Sequence, residues 1–527
     1  MANIITRRSF LKAGFQATAA LGLASLTNIP PFLKRALAEG NIGTNGKKLI
    51  FIFLRGGNDG VNNILPIMDP SYKNNRTVLN IPKLTRLNEI TGLIEDDNAA
   101  YLSSTGPGTC PGVDPSQPGA AIPLRNGFAA LNPALADLVP LYNARQLALI
   151  HRVAYRSQSR SHFDSERYWE KAADGVTANN RYINDGLWYR AIVESGWNKS
   201  HALSGVSIQS NMPQSLRGVE PMTNLSSISR YNLLGVYNPS GSTNMDRVKL
   251  LNAIDAANLR AHPLKDNRDL VHNLGTAFRD TLDIFQAPTF QTNEFYDLDN
   301  TTKLFPNSNA EDPARKQGGS FGFIQSIKSC AQIVSDTEAI VAGTEMGGFD
   351  THTGQVTAGS PHLGGHANLL RRLSWAYYAL WRYFSSKNMW DKVIVVTMSE
   401  FGRTSAENAS MGTDHAESSV MYVAGGGVTG GVYGCDTNVS NQPGVKNWDV
   451  GTVGKTGSLF AANGDVGYLK RLIDYRSVVG EIIRDHLGAT QNQLNRIIPA
   501  YASENTEHLR LGGTVSTTPI IGELGLV

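Results

Sequence analysis

The chain is 527 residues long, 41% hydrophobic and 18% charged, a composition that excludes disorder and fibrous architecture and allows one large α/β domain or two to three smaller ones. Its net charge of +3 resides in the first 38 residues, which hold Arg7, Arg8, Lys12, Lys34 and Arg35 and no acid; the remaining 43 basic and 45 acidic residues leave −2 and no bulk electrostatic attraction to nucleic acid or anionic lipid. Three cysteines, Cys110, Cys330 and Cys435, form no zinc-finger spacing and permit at most one intramolecular disulfide.

The start of the chain reads as an address. Thr6-Arg-Arg-Ser-Phe-Leu-Lys12 resembles the twin-arginine export signal, and a mildly apolar stretch from Ala13 to Ile29 leads to Ala36-Leu37-Ala38, a small-x-small cleavage site. Gly14, Gln16, Gly22 and Asn28 interrupt that stretch, which argues against a permanent membrane span, and no later run is long enough to make one. The resemblance implies a partner in the twin-arginine machinery, folding before export, and a periplasmic or extracellular destination. The expected organisation is a signal peptide at 1–38, an α/β domain at 39–490 with a helical insertion or peripheral layer at 210–335, and a polar, peripheral tail at 491–527.

Lys48 to Leu54 has the continuous apolar character of a strand buried on both faces of a parallel sheet, and it stops at Arg55-Gly-Gly-Asn-Asp-Gly60. Ligands in open α/β sheets sit beyond the carboxyl ends of strands, so Asp59 is a candidate to face the active-site edge, although Asn-Asp-Gly is also an ordinary turn. Leu147 to Val153 reads as a second strand. A short loop then leads to a helix opened by Ser161-His-Phe-Asp164, where Ser161 is either a plain cap or a hydroxyl held at an anion-binding helix N-terminus. Arg160 and His162 flank it. Ser204 to Gln209 is a further short strand. The region from Asp246 to about Phe285 is helical, with His262 and His272 expected as solvated surface residues.

Gly319 to Val334 is predicted helical and Glu338 to Gly343 a strand, with Met346-Gly-Gly-Phe-Asp-Thr-His-Thr353 as the loop at its end. Asp350 and His352, two apart on a Gly-flanked loop, suit one divalent cation, with Zn²⁺ or Mn²⁺ favoured by the oxygen and nitrogen donors. His362 and His366 have metal-binding spacing, but His366 more simply starts the helix from Ala367 to Phe384. Val393 to Ser399 is another doubly buried strand; Glu400, Arg403, Asp414 and His415 follow it, and a second apolar run spans Val420 to Ala424. The run Gly425-Gly-Gly-Val-Thr-Gly-Gly431 lacks the Lys-Ser/Thr of a phosphate loop and is read as a turn between strands. Tyr475 to Leu487 is an expected amphipathic helix, with His486 suited to its C-terminus.

Phe53-Leu-Arg-Gly-Gly-Asn-Asp-Gly60, Ser159-Arg-Ser-His-Phe-Asp164, Gly347-Gly-Phe-Asp-Thr-His352, Ser399-Glu-Phe-Gly-Arg403, Gly412-Thr-Asp-His415 and Asp474-Tyr-Arg-Ser-Val-Val-Gly-Glu481, in this order, resemble the bacterial DUF1501 family from about Lys47 to Gly488. That family in turn resembles the alkaline phosphatase and sulfatase superfamily. The resemblance implies a doubly wound, mostly parallel α/β sheet with metal ligands at strand ends. By this likeness Asp59 takes the place of the first metal-binding acid, Ser161 or else Ser159 that of the nucleophile, and Asp350 with His352 that of a ligand pair. The superfamily places Asp-His after the strand that here ends in Glu400-Phe401, and Asp414-His415 stands in for it. The implied function is an exported metal-dependent hydrolase of phosphate or sulfate esters, with Ser161 as nucleophile, His162 or Arg160 stabilising charge, and Asp59, Asp350, His352, Glu400, Asp414 and His415 around the metal. The competing expectation is a non-catalytic envelope binding protein on a degenerate hydrolase fold.

Overall fold

The computed structural model describes residues 42–527, less 103–108, 177–182, most of 229–292, 436–470 apart from Leu469, 503–508, 516–517 and residues 200, 202, 221 and 500. The expected signal peptide, most of the helical insertion, and His262 and His272 lie outside the described residues.

A central nine-stranded sheet organises the chain. In chain order its strands are β1 (Lys48–Leu54), β2 (Leu147–Ala154), β3 (Gly205–Ile208), β4 (Thr223–Leu225), β5 (Val341–Met346), β6 (Val393–Ser399), β7 (Ser419–Gly425), β8 (Gly431–Tyr433) and β9 (Ile473–Asp474). Across the sheet they run β8-β2-β7-β6-β1-β5-β3-β4, with β9 continuing along β2 beyond β8. All neighbours pair in parallel except β7, which is antiparallel to both β6 and β2. Residues 402–416 explain that reversal. They fold back as a hairpin-like loop, with Gly402 N–H donating to Glu417 O and Ala416 N–H to Gly402 O, so the chain re-enters the sheet in the opposite sense.

The uniformly apolar strands are buried on both sides, as their sequences require. On β1, Leu49, Phe51 and Phe53 enter one core while Ile50, Ile52 and Leu54 enter the other. Helices α3 (Gly322–Asp336) and α4 (Gly365–Ser386) cover the second of these faces. Helices α1 (His162–Lys171), α2 (Leu187–Ser195) and α5 (Tyr475–Glu481) cover the first. The 425–431 glycine run is the connection between β7 and β8, as expected. No helix among the described residues is long and apolar enough to cross a membrane.

Several local expectations need correction. The strand expected at Glu338 starts at Val341, three residues later, and runs to Met346. The first part of the Tyr475–Leu487 segment is not amphipathic: α5 is buried on every side, and it continues as a π-helical turn, Ile482–His486, where Asp485 reaches solvent. His486 does not act as a cation at a helix end. Its Nε2 lies 2.9 Å from Lys48 O, and burial pushes its pKa down to about 4. Beyond it, Leu494, Ile497, Leu524 and Leu526 are all buried, so part of the segment expected to be peripheral packs into the core. Cys110, Cys330 and Cys435 are all buried.

Candidate metal centre

The carboxyl ends of β1, β5 and β6 lie side by side, with Leu54 opposite both Met346 and Ser399. Their loops are therefore forced together. Gly56 takes a φ of +115°, and a Cβ there would meet Asp350 N at 2.3 Å, so only glycine lets the first loop pass under the second. Gly412 plays the same part for the third loop, since its Cβ would meet His352 O at 2.2 Å. Arg403, fully buried, pins all three: Nε donates to Gly57 O at 2.9 Å, Nη1 to Thr413 O at 3.0 Å, and Nη2 to Gly56 O, Phe349 O and Asp350 Oδ1.

Three histidines converge on Asp350 at this edge. His352 Nε2 lies 3.1 Å and His415 Nε2 3.2 Å from Asp350 Oδ1, and His162 Nε2 lies 3.6 Å from Asp350 Oδ2. His162, the first residue of α1, reaches in from the helix N-terminus. Phe401 packs against the rings of His162 and His415 at centroid distances of 4.9 and 4.5 Å.

Each imidazole is fixed by its other nitrogen. His162 Nδ1 is 3.0 Å from Glu400 Oε1, His352 Nδ1 is 2.9 Å from Asp414 Oδ1, and His415 Nδ1 is 2.9 Å from Arg160 O. Carboxylates and carbonyls only accept, so all three Nδ1 atoms carry protons and a neutral ring presents its Nε2 lone pair to the centre. Metal-ligating histidines are held in this way. Burial pushes the pKa of His415 down, with Arg403 and His162 acting in the same sense and Asp350 against it. The hydrogen bond to Glu400 raises His162, against partial burial. Partial burial works against ionising Asp350, yet the hydrogen bond and charge of Arg403 hold its carboxyl below the ordinary carboxylate range. Lone pairs facing a carboxylate at such distances are stabilised by a cation or by added protons. Asp350, Glu400 and Asp414 formally carry three negative charges against one positive on Arg403, a deficit that one divalent ion removes.

The structure thus brings together Asp350, His352 and His415 of the expected ligands and places Glu400 and Asp414 behind the histidines as orienting partners. His162, expected to stabilise charge on a transferred group, sits among the ligand atoms instead: with Asp350 and His415 it offers three donor atoms within 4.8 Å of one another. Asp59 is not at the rim. It is fully buried, and Arg76 takes both its oxygens, Nη1 to Oδ2 at 2.6 Å and Nη2 to Oδ1 at 2.9 Å. Complete burial alone would raise the Asp59 carboxyl, but Arg76 holds it below its ordinary value. Ser161 is the exposed N-cap of α1 and its hydroxyl makes no capping bond; Arg160 is exposed and contributes its carbonyl to the centre. His362 and His366 do not form a pair of ligands: His362 packs on Gly119, and buried His366 has Nε2 2.8 Å from Asn63 Oδ1. Sequence reasoning missed the structural role of Arg403 and the position of Gln355, which lies beneath the loops.

A family model described as "Protein of unknown function (DUF1501)" matches residues 186–453, so the chain belongs to that family. No curated protein matches the chain.

Proposed function

We propose that this member of the DUF1501 family is an exported, metal-dependent hydrolase of phosphate or sulfate esters on an alkaline phosphatase-like sheet. The observation that carries the reading is the common orientation of His162, His352 and His415, each anchored at Nδ1 and turned toward Asp350. Imidazole nitrogen and carboxylate oxygen suit Zn²⁺ or Mn²⁺. A divalent ion bound there supplies Lewis acidity to the ester and eases deprotonation of the attacking group. Around it, Arg403 holds Asp350, and Glu400, Asp414 and Arg160 O hold the rings. Ser161 is the candidate nucleophile: its hydroxyl loses its proton to solvent as Oγ forms a bond to phosphorus or sulfur, the bond to the alcohol oxygen breaks and that oxygen takes a proton from water, and a second water then hydrolyses the seryl ester to free phosphate or sulfate and Ser161. Arg160 and the free N–H groups at the start of α1 favour the anionic group. The twin-arginine-like start supports export of the folded chain to the periplasm or beyond.

The test is a panel of aryl phosphates and aryl sulfates offered to metal-loaded protein. Turnover that disappears in Ser161→Ala at unchanged metal content supports the hydrolase. A complete lack of turnover favours a second reading, a non-catalytic envelope binding protein. That reading is favoured by a specific observation: among the described residues a single cluster of three metal-ligand side chains is found, with Asp59 committed to Arg76 rather than to a second ion.

A further inference from the structure

The buried network that absorbs Asp59 reaches both ligand-bearing loops. Gln355 is completely buried. Its Oε1 accepts from Thr351 Oγ1 at 3.0 Å and from Thr413 Oγ1 at 2.8 Å, and its Nε2 donates to Asp59 Oδ2 at 2.5 Å. Thr351 lies between Asp350 and His352, and Thr413 immediately precedes Asp414 and His415. The Arg76 fork keeps Asp59 a carboxylate, which can only accept. Gln355 must therefore turn its nitrogen to Asp59 and its oxygen to the threonines, and both hydroxyls must donate. The charge on Asp59 sets the direction of every bond in the chain from Arg76 to the two loops.

We infer that Gln355 is a positioning residue of the metal centre: seated on the Asp59–Arg76 ion pair, it fixes the separation of residues 350–352 from residues 413–415, and with it the spacing of Asp350, His352 and His415. The inference rests on the metal-centre reading given above. Backbone bonds already join the loops along one edge, with Thr413 N–H donating to Thr351 O at 3.1 Å and Gln355 N–H to Met411 O at 2.9 Å. Two loops joined along an edge can still hinge about it. The side-chain amide, bonded to both hydroxyls and anchored below, adds the point that resists hinging. Outer partners of this kind typically change metal affinity by about ten- to a hundredfold when removed.

The experiment is Co²⁺ titration of the full-length protein, followed by visible absorption, with thermal unfolding of the metal-free form as the control for folding. Wild-type protein that gives no Co²⁺ spectrum removes the metal-centre reading itself. Given a wild-type spectrum, Gln355→Met is expected to bind Co²⁺ about ten- to a hundredfold more weakly and with an altered band shape, while still unfolding cooperatively. Affinity and spectrum both unchanged overturn the inference. Should Gln355→Met not fold, Thr351→Val and Thr413→Val each delete one hydroxyl with little change of shape. Several-fold weaker Co²⁺ binding in these variants supports the inference, and unchanged binding in both contradicts it.

Discussion

His352 and His415 face each other with their Nε2 atoms 3.0 Å apart, while their Nδ1 protons are committed to Asp414 and to Arg160 O. Two neutral imidazoles in this arrangement point lone pairs at one another and at Asp350. A cation between them turns a repulsion into ligation, which is why the site is read as a metal centre rather than as a surface salt-bridge cluster.

The orienting role of Glu400 is directly testable. Its Oε1 accepts from Gly56 N–H at 2.6 Å and lies on His162 Nδ1, and it is fully buried. Glu400→Gln keeps the shape and an oxygen for both donors, which meet at Oε1, but removes the negative charge that strengthens the hold on His162 Nδ1–H. Divalent metal affinity is expected to fall by about ten- to a hundredfold with the fold retained, as measured by competition with a chromogenic chelator. Unchanged affinity contradicts the assigned role of Glu400 behind His162.

Asp59 and Arg76 form a buried ion pair, so removing one partner leaves an uncompensated charge. Asp59→Ala is expected to cost roughly 3–5 kcal/mol of stability by denaturant unfolding. If Asp59 were instead a metal ligand, the main effect would be lost metal with little change in the stability of metal-free protein.

Buried neutral histidines set the response to acid. Desolvation pushes His366 and His486 down to about 4 and, with the help of Arg152, His151 to about 3. Unfolded, each titrates near about 6.5. Between these values the unfolded chain binds more protons than the folded one. The stability present above pH 6.5 is therefore lost as pH falls toward 4, by up to about 1.4 kcal/mol per pH unit for each histidine. Thermal unfolding in chelator from pH 7 to 4.5 should show this fall. His486→Gln, whose amide can still donate to Lys48 O, should flatten the curve, and an unchanged slope contradicts the assignment.

Much of this was legible in the chain. Lys48–Leu54 and Val393–Ser399 declared themselves because a strand covered on both faces needs no polar alternation, and Gly-flanked Asp350-Thr-His352 marked a strand-end loop. Asp59 misled because its partner, Arg76, lies seventeen residues away in a loop with no periodic pattern to link them. The helix at Tyr475 read as amphipathic because it mixes charged and apolar residues. In the structure Arg476 is buried on Asp474 and Asp174, and Glu481 accepts from the backbone N–H groups of Leu524 and Leu526. Tertiary partners, not local propensity, decide such positions. His162 shows the same limit: the start of a helix was visible at Ser161, but its approach to Asp350 depends on how α1 packs against the loop after β6.

The most direct measurement is the metal content of purified protein, by elemental analysis before and after reconstitution with Zn²⁺ or Mn²⁺. The account predicts about one tightly held divalent ion per chain, lost in Asp350→Ala and in His415→Ala while cooperative unfolding of the metal-free form persists. Wild-type protein that stays metal-free after reconstitution, or variants that hold metal as tightly as wild type, would contradict it.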